Sequence, residues 1–373
     1  MNGLTFVSHE TPESLAALEG AWRELHGVCT YRSIYNSFDF IMTSVIAFSE
    51  PDIELFVLSA TQADTVVAIF PFQISQHDFY AVRLKVVEYA AQWEIDKPYP
   101  LFREGFEELA WRELAGFLSA NRQRWHRFNL IEIREGLAAI EALPRVFGLP
   151  RYWVRGRDDR RSPLVALGEP WEKRWEQHRK MRKRVRRMER SYGERLRFEV
   201  FDQPDTWWNC LETYVAIESR GWKAGRVGVG KDPRTLAFYQ DLFARLAAGG
   251  HLSFGVLSVD EQPVAVEIAY ILGGIVYFAH GTFDEHYAAY SPGMVSTAYF
   301  LRHFHGASFR EGDYLAGFAA YMAPWADVVV PSHRLVIHRV SAAVLYFFAV
   351  KAVLKLLPSR RKKEPADIPR PKA

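Results

Sequence analysis

Apolar positions recur at two spacings along the chain, and the switch between them marks out its elements. Leu15, Leu18, Trp22 and Leu25 fall at helical intervals and predict a helix over residues 10–27, capped by Thr11 or Ser14. Phe38 to Phe48 predicts a second helix behind the cap Ser37. Apolar runs at Ile53–Ala60, Val66–Ile74 and Val82–Tyr89 then read as strands, the first two joined by the polar turn Thr61–Asp64. Phe106–Asn121 reads as a helix, Phe128–Ile133 as a strand and Leu137–Phe147 as a helix. The charged stretch "RGRDDRRSPLVAL" interrupts this pattern and predicts a domain boundary.

Beyond it, Trp171, Trp175, His178, Met181, Val185 and Met188 form the apolar side of a long basic helix, Trp171–Tyr192. Thr206–Ile217 is a further helix. "KDPRTLAFYQDLFARLAAGG" carries its own boundaries: Asp232 caps, Pro233 takes the first turn, and Gly249-Gly250 ends the helix. Strands follow at Leu252–Val259, Val264–Leu272 and Ile275–Ala279, with Gly273-Gly274 as a tight hairpin turn. A loop, a helix from Gly293 to His305, and short strands at Asp313–Ala316 and Arg334–His338 complete the order. Both halves run helix, helix, hairpin, strand, helix, strand, which suggests a duplicated unit of α/β (α+β) type with mixed sheets flanked by helices. The expected division is 1–160, 161–335, an amphipathic helix over 336–358, and a disordered basic tail over 359–373.

Composition changes this picture little. The 373 residues suit two domains, and a net charge of +3 selects no partner class. Cys29 and Cys210 alone make neither a disulfide framework nor a zinc site, so a reducing cytoplasm is the expected setting. "MNGLTFVSHETPES" has no basic start followed by an apolar block, so no secretory signal is expected. The final apolar run "RVSAAVLYFFAVKAVLKLLPSRRKK" is long enough for one bilayer crossing. Lys351 and Lys355 lie within it, however, and each costs roughly 2.5–3.5 kcal/mol at a bilayer centre. Two readings stand: an amphipathic helix on an anionic membrane, at the inner face of the cell membrane, or a helix packed on its own domain.

Candidate chemistry concentrates in the second half. In "HGTFDEHYAAYSPGMVSTAYFLRHF", Tyr290, Ser291, Gly293 and Met294 open a helix after a strand. The first N–H groups of such a helix are unpaired and can hold a phosphate, although an ordinary capped helix is the plainer reading. "HRKMRKRVRRMER" sets Arg179, Arg182, Lys183, Arg186, Arg187 and Arg190 on one face, either a solvated helix surface or an attractor for RNA, anionic lipid or a cofactor phosphate. In "AIESRGWKAGRVGVG", Glu218 is a candidate general base if burial raises its pKa, or the partner of Arg220 or Lys223. The glycines there match neither a P-loop nor a dinucleotide fingerprint. His280 at a strand exit is a catalytic or orienting candidate. The spacing of His280, Asp284, Glu285 and His286 fits no standard metal site, and no metal is expected. Asp96 in "EIDKPYP" faces the same cleft or forms a turn. The acceptor side is assigned to Asp96, Trp222, Lys223 and Asp313. Covalent catalysis is not suggested, since no nucleophile elbow or cysteine signature is present.

"HRKMRKRVRRMERSYGE", "IESRGWKAG", "LAFYQDLFARLAAGGHLSFGVLSVDEQPVAVEIAYILGGIVYFAHGTFDEHYAAYSPG" and "GDYLAGFAAYMAPW" together resemble the CelD-type branch of the GNAT acetyltransferases, associated with cellulose and exopolysaccharide biosynthesis and related to Fem-type peptidyltransferases. The resemblance covers roughly Pro170–Trp325, and the first half loosely. It implies tandem GNAT units and acyl transfer from acyl-CoA, typically acetyl-CoA, to an amine or hydroxyl of a sugar, glycan, lipid-linked or amino acceptor. It puts the cofactor pyrophosphate at Tyr290–Gly293 and makes Tyr321, or Tyr314, the proton donor to the leaving thiolate. The usual glycine-rich pyrophosphate loop is absent, and Met322 stands where the family commonly has Lys. Two alternatives follow from the same residues: an aminoacyl-tRNA-dependent transferase of Fem type, or a non-catalytic binding module.

Overall fold

The computed structural model describes residues 3–79, 82–91, 95–221, 223–306, 308–315, 322 and 324–356. The first half consists of β1 (Thr5–His9), α1 (Pro12–Ala16), α2 (Glu19–Val28), α3 (Phe38–Ala47), β2 (Ile53–Gln62), β3 (Thr65–Phe79), β4 (Val82–Tyr89), β5 (Leu101–Phe102), α4 (Glu107–Ala120), β6 (Arg127–Arg134), α5 (Ala139–Val146) and β7 (Tyr152–Ala166). The second consists of α6 (Trp171–Gln177), α7 (Arg179–Tyr192), β8 (Leu196–Phe201), α8 (Trp207–Glu218), α9 (Pro233–Ala248), β9 (Leu252–Val259), β10 (Gln262–Leu272), β11 (Ile275–Phe283), α10 (Pro292–Phe304), β12 (Glu311–Asp313), β13 (Val328–Arg339) and α11 (Ala342–Leu356).

The strands form one continuous mixed sheet in the order β1-β2-β3-β4-β6-β13-β7-β12-β11-β10-β9-β8, with β5 against β3. Its two parallel joins are short. β4 meets β6 through Val86 with Arg127 and Val87 with Phe128. β11 meets β12 only over Ile275–Tyr277 and Glu311–Asp313. Each half therefore repeats strand, helices, antiparallel meander, helix, parallel strand. The final strand β13 then returns to the middle, between β6 and β7. Helices cover both faces, and α3 of the first half packs on α9 of the second through Phe40 and Phe238, whose ring centroids are 5.8 Å apart. One core thus spans both halves, holding Trp22, Phe38, Tyr214, Leu242 and Phe243.

The sequence pattern gave way to tertiary structure in several places. Residues 155–166 of "RGRDDRRSPLVAL" lie in β7, a central strand paired with β13 along most of its length. Arg155 and Arg157 alternate with the core-facing Tyr152 and Val154, and the charges that follow are mostly exposed, so backbone pairing overrides an unfavourable side-chain pattern. The mixed sheets of the two halves join edge to edge, because β7, β12 and β13 bridge them. The helix over 10–27 is two helices, and Thr11 and Ser14 both serve at its start as a reciprocal capping box. The long basic helix breaks at His178 (φ −100, ψ 59), whose ring packs against Trp325 at 5.2 Å. β13 continues to Arg339, so the terminal helix begins at Ala342 rather than 336. That helix packs Val344 and Phe347 onto Val82, Leu84 and Val86 of β4 and leaves Leu345, Tyr346 and Val353 exposed. The side chain of Lys355 and the tail over 359–373 lie outside the described residues.

Candidate active site

The site grows from the way β11 leaves its neighbour. Its parallel pairing to β12 ends at Tyr277 and Asp313, yet β11 runs on to Phe283. On its other side, Ala269 faces Phe278 and Ile268 faces His280, so Ala279 is an extra residue in a bulge. A bulge leaves backbone groups out of the ladder and re-aims the side chains beyond it. Beyond Tyr277 and Asp313, β11 therefore runs on past its pairing with β12, with the bulge on its other side.

The start of α10 stands beside the end of this strand. Asp284 accepts a bond from the His286 amide at 2.9 Å and organises the turn Glu285–Tyr290. Ser291 is left-handed (φ 56, ψ 53) and gives α10 no side-chain cap, while Pro292 occupies the first turn. Gly293 serves packing as well as access, because a Cβ there would sit 3.2 Å from the Phe283 ring. Met294 packs on the core beneath α10. Beside the turn stands the basic helix α7. The Tyr290 ring lies 5.1 Å from Tyr192, with the Arg187 guanidinium 5.3 Å over its face. A hydrogen bond to Ser191, then Tyr192 and Arg187, lower the Tyr290 hydroxyl pKa.

The first half shows the contrast. The corresponding helix α4 also lacks a side-chain cap, but Glu107 and Glu108 stand in its first turn, and Tyr99 bonds to Glu107. Carboxylates already complement that dipole and repel a further anion. The first turn of α10, by contrast, carries no acidic residue.

Glu218, Lys223, Glu267 and His280 gather around the end of β11. Glu218 closes α8 with 3 % exposure. Its Oε2 accepts the Gly230 amide at 2.7 Å, and its Oε1 accepts no bond among the described residues. Gly228 (φ +103) lies so close that a Cβ would overlap the carboxylate. The glycine-rich loop, which matched no nucleotide motif, is thus the cradle of this acid. Lys223, on the same loop, donates to the Gly281 carbonyl at 2.5 Å. Burial lowers its pKa, against the opposing pull of Glu218 and Glu267. Glu267 on β10 lies opposite Gly281 and accepts from Thr297 Oγ1 of α10 at 2.6 Å. Burial pushes this carboxyl up to about 7, with Thr297, Ser296 and Lys223 pulling the other way. His280 meets the Tyr239 ring edge-on at 5.0 Å.

The remaining sequence candidates divide. Asp313 ends β12 and is held by Lys97 of the first half and by the Leu315 amide at 2.8 Å. Asp96 is buried in the same loop as Lys97, so that loop does reach the second half. Tyr314 stacks on Phe278 at 4.8 Å within the core, while Trp222 and Tyr321 lie outside the described residues. Sequence reasoning missed Lys97 and Glu267. Glu267 had a signal, since an acid interrupts the apolar run "VAVEIAYIL" at an inward position. Among the described residues, no group of three His, Cys, Asp or Glu is disposed to hold a metal ion. No described helix is long and apolar enough to cross a membrane. A cavity of about 520 Å³ lies along β8 and α10 beside Phe198, Tyr299 and Arg302, and none of these acids lines it.

Residues 179–322 match the family model described as an acetyltransferase (GNAT) domain. The similarity to a GNAT acetyltransferase domain thus falls within the second half. The matched segment begins at α7 and takes in all of β11 and α10. No curated protein matches the chain. Among solved structures, FemX is similar at 7 % identity with a TM-score of 0.58, covering 95 % of this chain and 99 % of that one. The C-terminal domain of a protein assigned as lysylphosphatidylglycerol synthetase from Agrobacterium fabrum gives 13 % identity and 0.55, covering 91 % and 97 %. L-PGS from Bacillus licheniformis gives 14 % and 0.51, covering 95 % and 99 %. These likenesses run through both halves and support the fold.

Proposed function

We propose that the chain transfers an acyl group from a coenzyme A thioester to an amine or hydroxyl of a sugar, glycan, lipid-linked or amino acceptor, in polysaccharide or envelope biosynthesis. The observation that carries this reading is that β11 runs on beyond its pairing with β12, beside an uncapped helix start free of carboxylates. The unpaired amides of α10, with the cations of α7 alongside, suit a diphosphate. The pantetheine arm then lies along β11 beyond Tyr277, and the thioester oxygen takes a backbone N–H of the bulged β11. Glu218 accepts the proton of the attacking group, with Lys223 setting its field. The tetrahedral intermediate collapses by breaking the carbon–sulfur bond, and the leaving thiolate takes a proton, for which the family resemblance names Tyr321.

Thermal stability with acetyl-CoA, longer acyl-CoAs and aminoacyl-tRNA added in turn tests this. A ligand at a hundredfold its dissociation constant adds about 2.7 kcal/mol. Absence of a shift with every thioester overturns the proposal. A shift with charged tRNA alone, falling steeply with salt, favours the second reading, aminoacyl transfer, for which the exposed cations of α7 speak. The exposed face of α11 supports attachment to an anionic membrane. Replacing Leu345, Tyr346 and Val353 by Glu abolishes co-sedimentation with phosphatidylglycerol vesicles if that attachment holds.

A further inference from the structure

We propose that the sheet face between α11 and Asp313 binds a phosphate or diphosphate on an elongated acceptor, an inference that rests on the acyltransferase reading. Strand register places the groups. Arg127 of β6, His338 of β13 and Trp153 of β7 form one rank, and Asn129, Val336 and Arg155 form the next. Arg334 and Arg157 form a third. Their neighbours Phe128, Leu130, Leu335 and Ile337 point into the core on the opposite face, so these ranks share the other one.

Charge on this face is unbalanced. Its carboxylates are engaged: Glu88 with His77 at 3.0 Å, and Asp159 with Arg334 at 2.9 Å. Arg155 and Arg157 pair with no carboxylate among the described residues, and Arg155 instead lies 5.5 Å over the Trp153 ring. Buried polar atoms also stand idle here. Arg127 Nε, Asn129 Oδ1 and His338 Nδ1 have no partner among the described residues, and His338 is only 4 % exposed. Burial, then Arg127, Arg155 and Lys351, push the His338 imidazole down to about 4, so it stays neutral among Trp153, Phe347 and Phe348, and the charge of this face rests on its arginines. Unpaired guanidinium cations beside the unsatisfied Arg127 Nε donor are what a bound oxyanion completes, while the Asn129 amide can turn its NH2 toward it.

The face continues toward the reaction centre. A small pocket of Lys97, Arg134, Ser162, Leu164 and Ser332 follows along β7, and Ser162 Oγ is also unpartnered among the described residues. Leu164 pairs with Asp313 at the end of β12. Arg157 and Leu164 lie seven positions apart on a strand that is bulged between them, at most roughly 23 Å. An acceptor anchored at the arginines therefore needs up to that length to present its nucleophile, which suits a glycan or other extended chain carrying a phosphate. The packed Trp153–Phe348 pair, with centroids 4.5 Å apart, walls the far end with apolar surface.

Titration calorimetry of the full chain with inorganic pyrophosphate, in the presence of coenzyme A to occupy the α10 corner, tests the site. Co-sedimentation with phosphatidylglycerol vesicles forms the second arm. The R155A/R157A variant is expected to bind the effective probe at least tenfold more weakly, and R155K/R157K to retain it. Both arginines are exposed, so the fold should survive the change. Effects in the pyrophosphate arm alone assign a soluble phosphate source, and effects in the vesicle arm assign a lipid one. Unchanged binding in both arms, or no binding by the wild type in either, overturns the proposal. The acetyl-CoA shift is read separately, so its loss would count against the cofactor assignment and not against this face.

Discussion

Lys97 Nζ lies 2.6 Å and 2.5 Å from the two carboxylate oxygens of Asp313, joining a first-half loop to the last residue of β12. Both side chains are almost fully enclosed, at 7 % and 5 % exposure. Removing one member leaves an uncompensated buried charge, which costs about 3–5 kcal/mol. Lys97→Met is therefore expected to lower the urea midpoint strongly. Lys97→Met with Asp313→Asn should recover part of the loss, since the charge is gone and Asn can still accept the Leu315 amide. A double variant no more stable than Lys97→Met would show that the pair is not the source of the effect.

A second prediction concerns the cradle of Glu218. Gly228→Ala meets the carboxylate and also strains a backbone at φ +103, whereas Gly225→Ala at φ +64 meets nothing within 4 Å. The backbone penalty of roughly 1 kcal/mol applies to both. Only Gly228→Ala displaces the acid. Acyl transfer should fall at least tenfold in Gly228→Ala and change little in Gly225→Ala, measured as kcat at equal folded fraction. Equal losses in the two variants would remove Glu218 from its assigned role.

Much of this arrangement was legible in the chain, and the reasons for the rest are physical. Asp232, Pro233 and Gly249 bounded α9 because caps and breakers act locally. The Ser291-Pro292-Gly293 turn stood out for the same reason. β7 was unreadable as a strand because its ladder is completed by β13, more than 150 residues later, and one of its faces carries arginines. Lys97 was invisible because its partner lies 216 residues away. The glycines around Glu218 were conspicuous, but composition could not say that they make room for a carboxylate rather than a phosphate.

At α10 the expected outcome has two signs. Ser291→Asp adds a negative charge at an uncapped helix start, which favours the free protein by about 0.3–1 kcal/mol. The same charge repels a diphosphate. The melting temperature of the unliganded variant should hold or rise, while acetyl-CoA affinity falls at least tenfold. A variant that binds acetyl-CoA as the parent does would show that the cofactor phosphates lie elsewhere.

Glu267 provides the pH dependence. Its carboxyl is pushed up to about 7 in the folded protein, chiefly by burial, from an ordinary 4.5. Between these values the folded state holds a proton that the unfolded state has released. Stability from this group is therefore present at low pH and lost as pH rises from about 4.5 through 7. The full loss is about 3 kcal/mol, reached above pH 7. Glu267→Gln keeps the shape and can still bond Thr297, but cannot ionise. The variant should match the parent near pH 4.5, exceed it at pH 8, and lose most of the slope between, as read by urea denaturation at each pH. If the parent and Glu267→Gln show parallel stability curves across this range, the buried carboxyl does not titrate there, and Lys223 holds it ionised throughout.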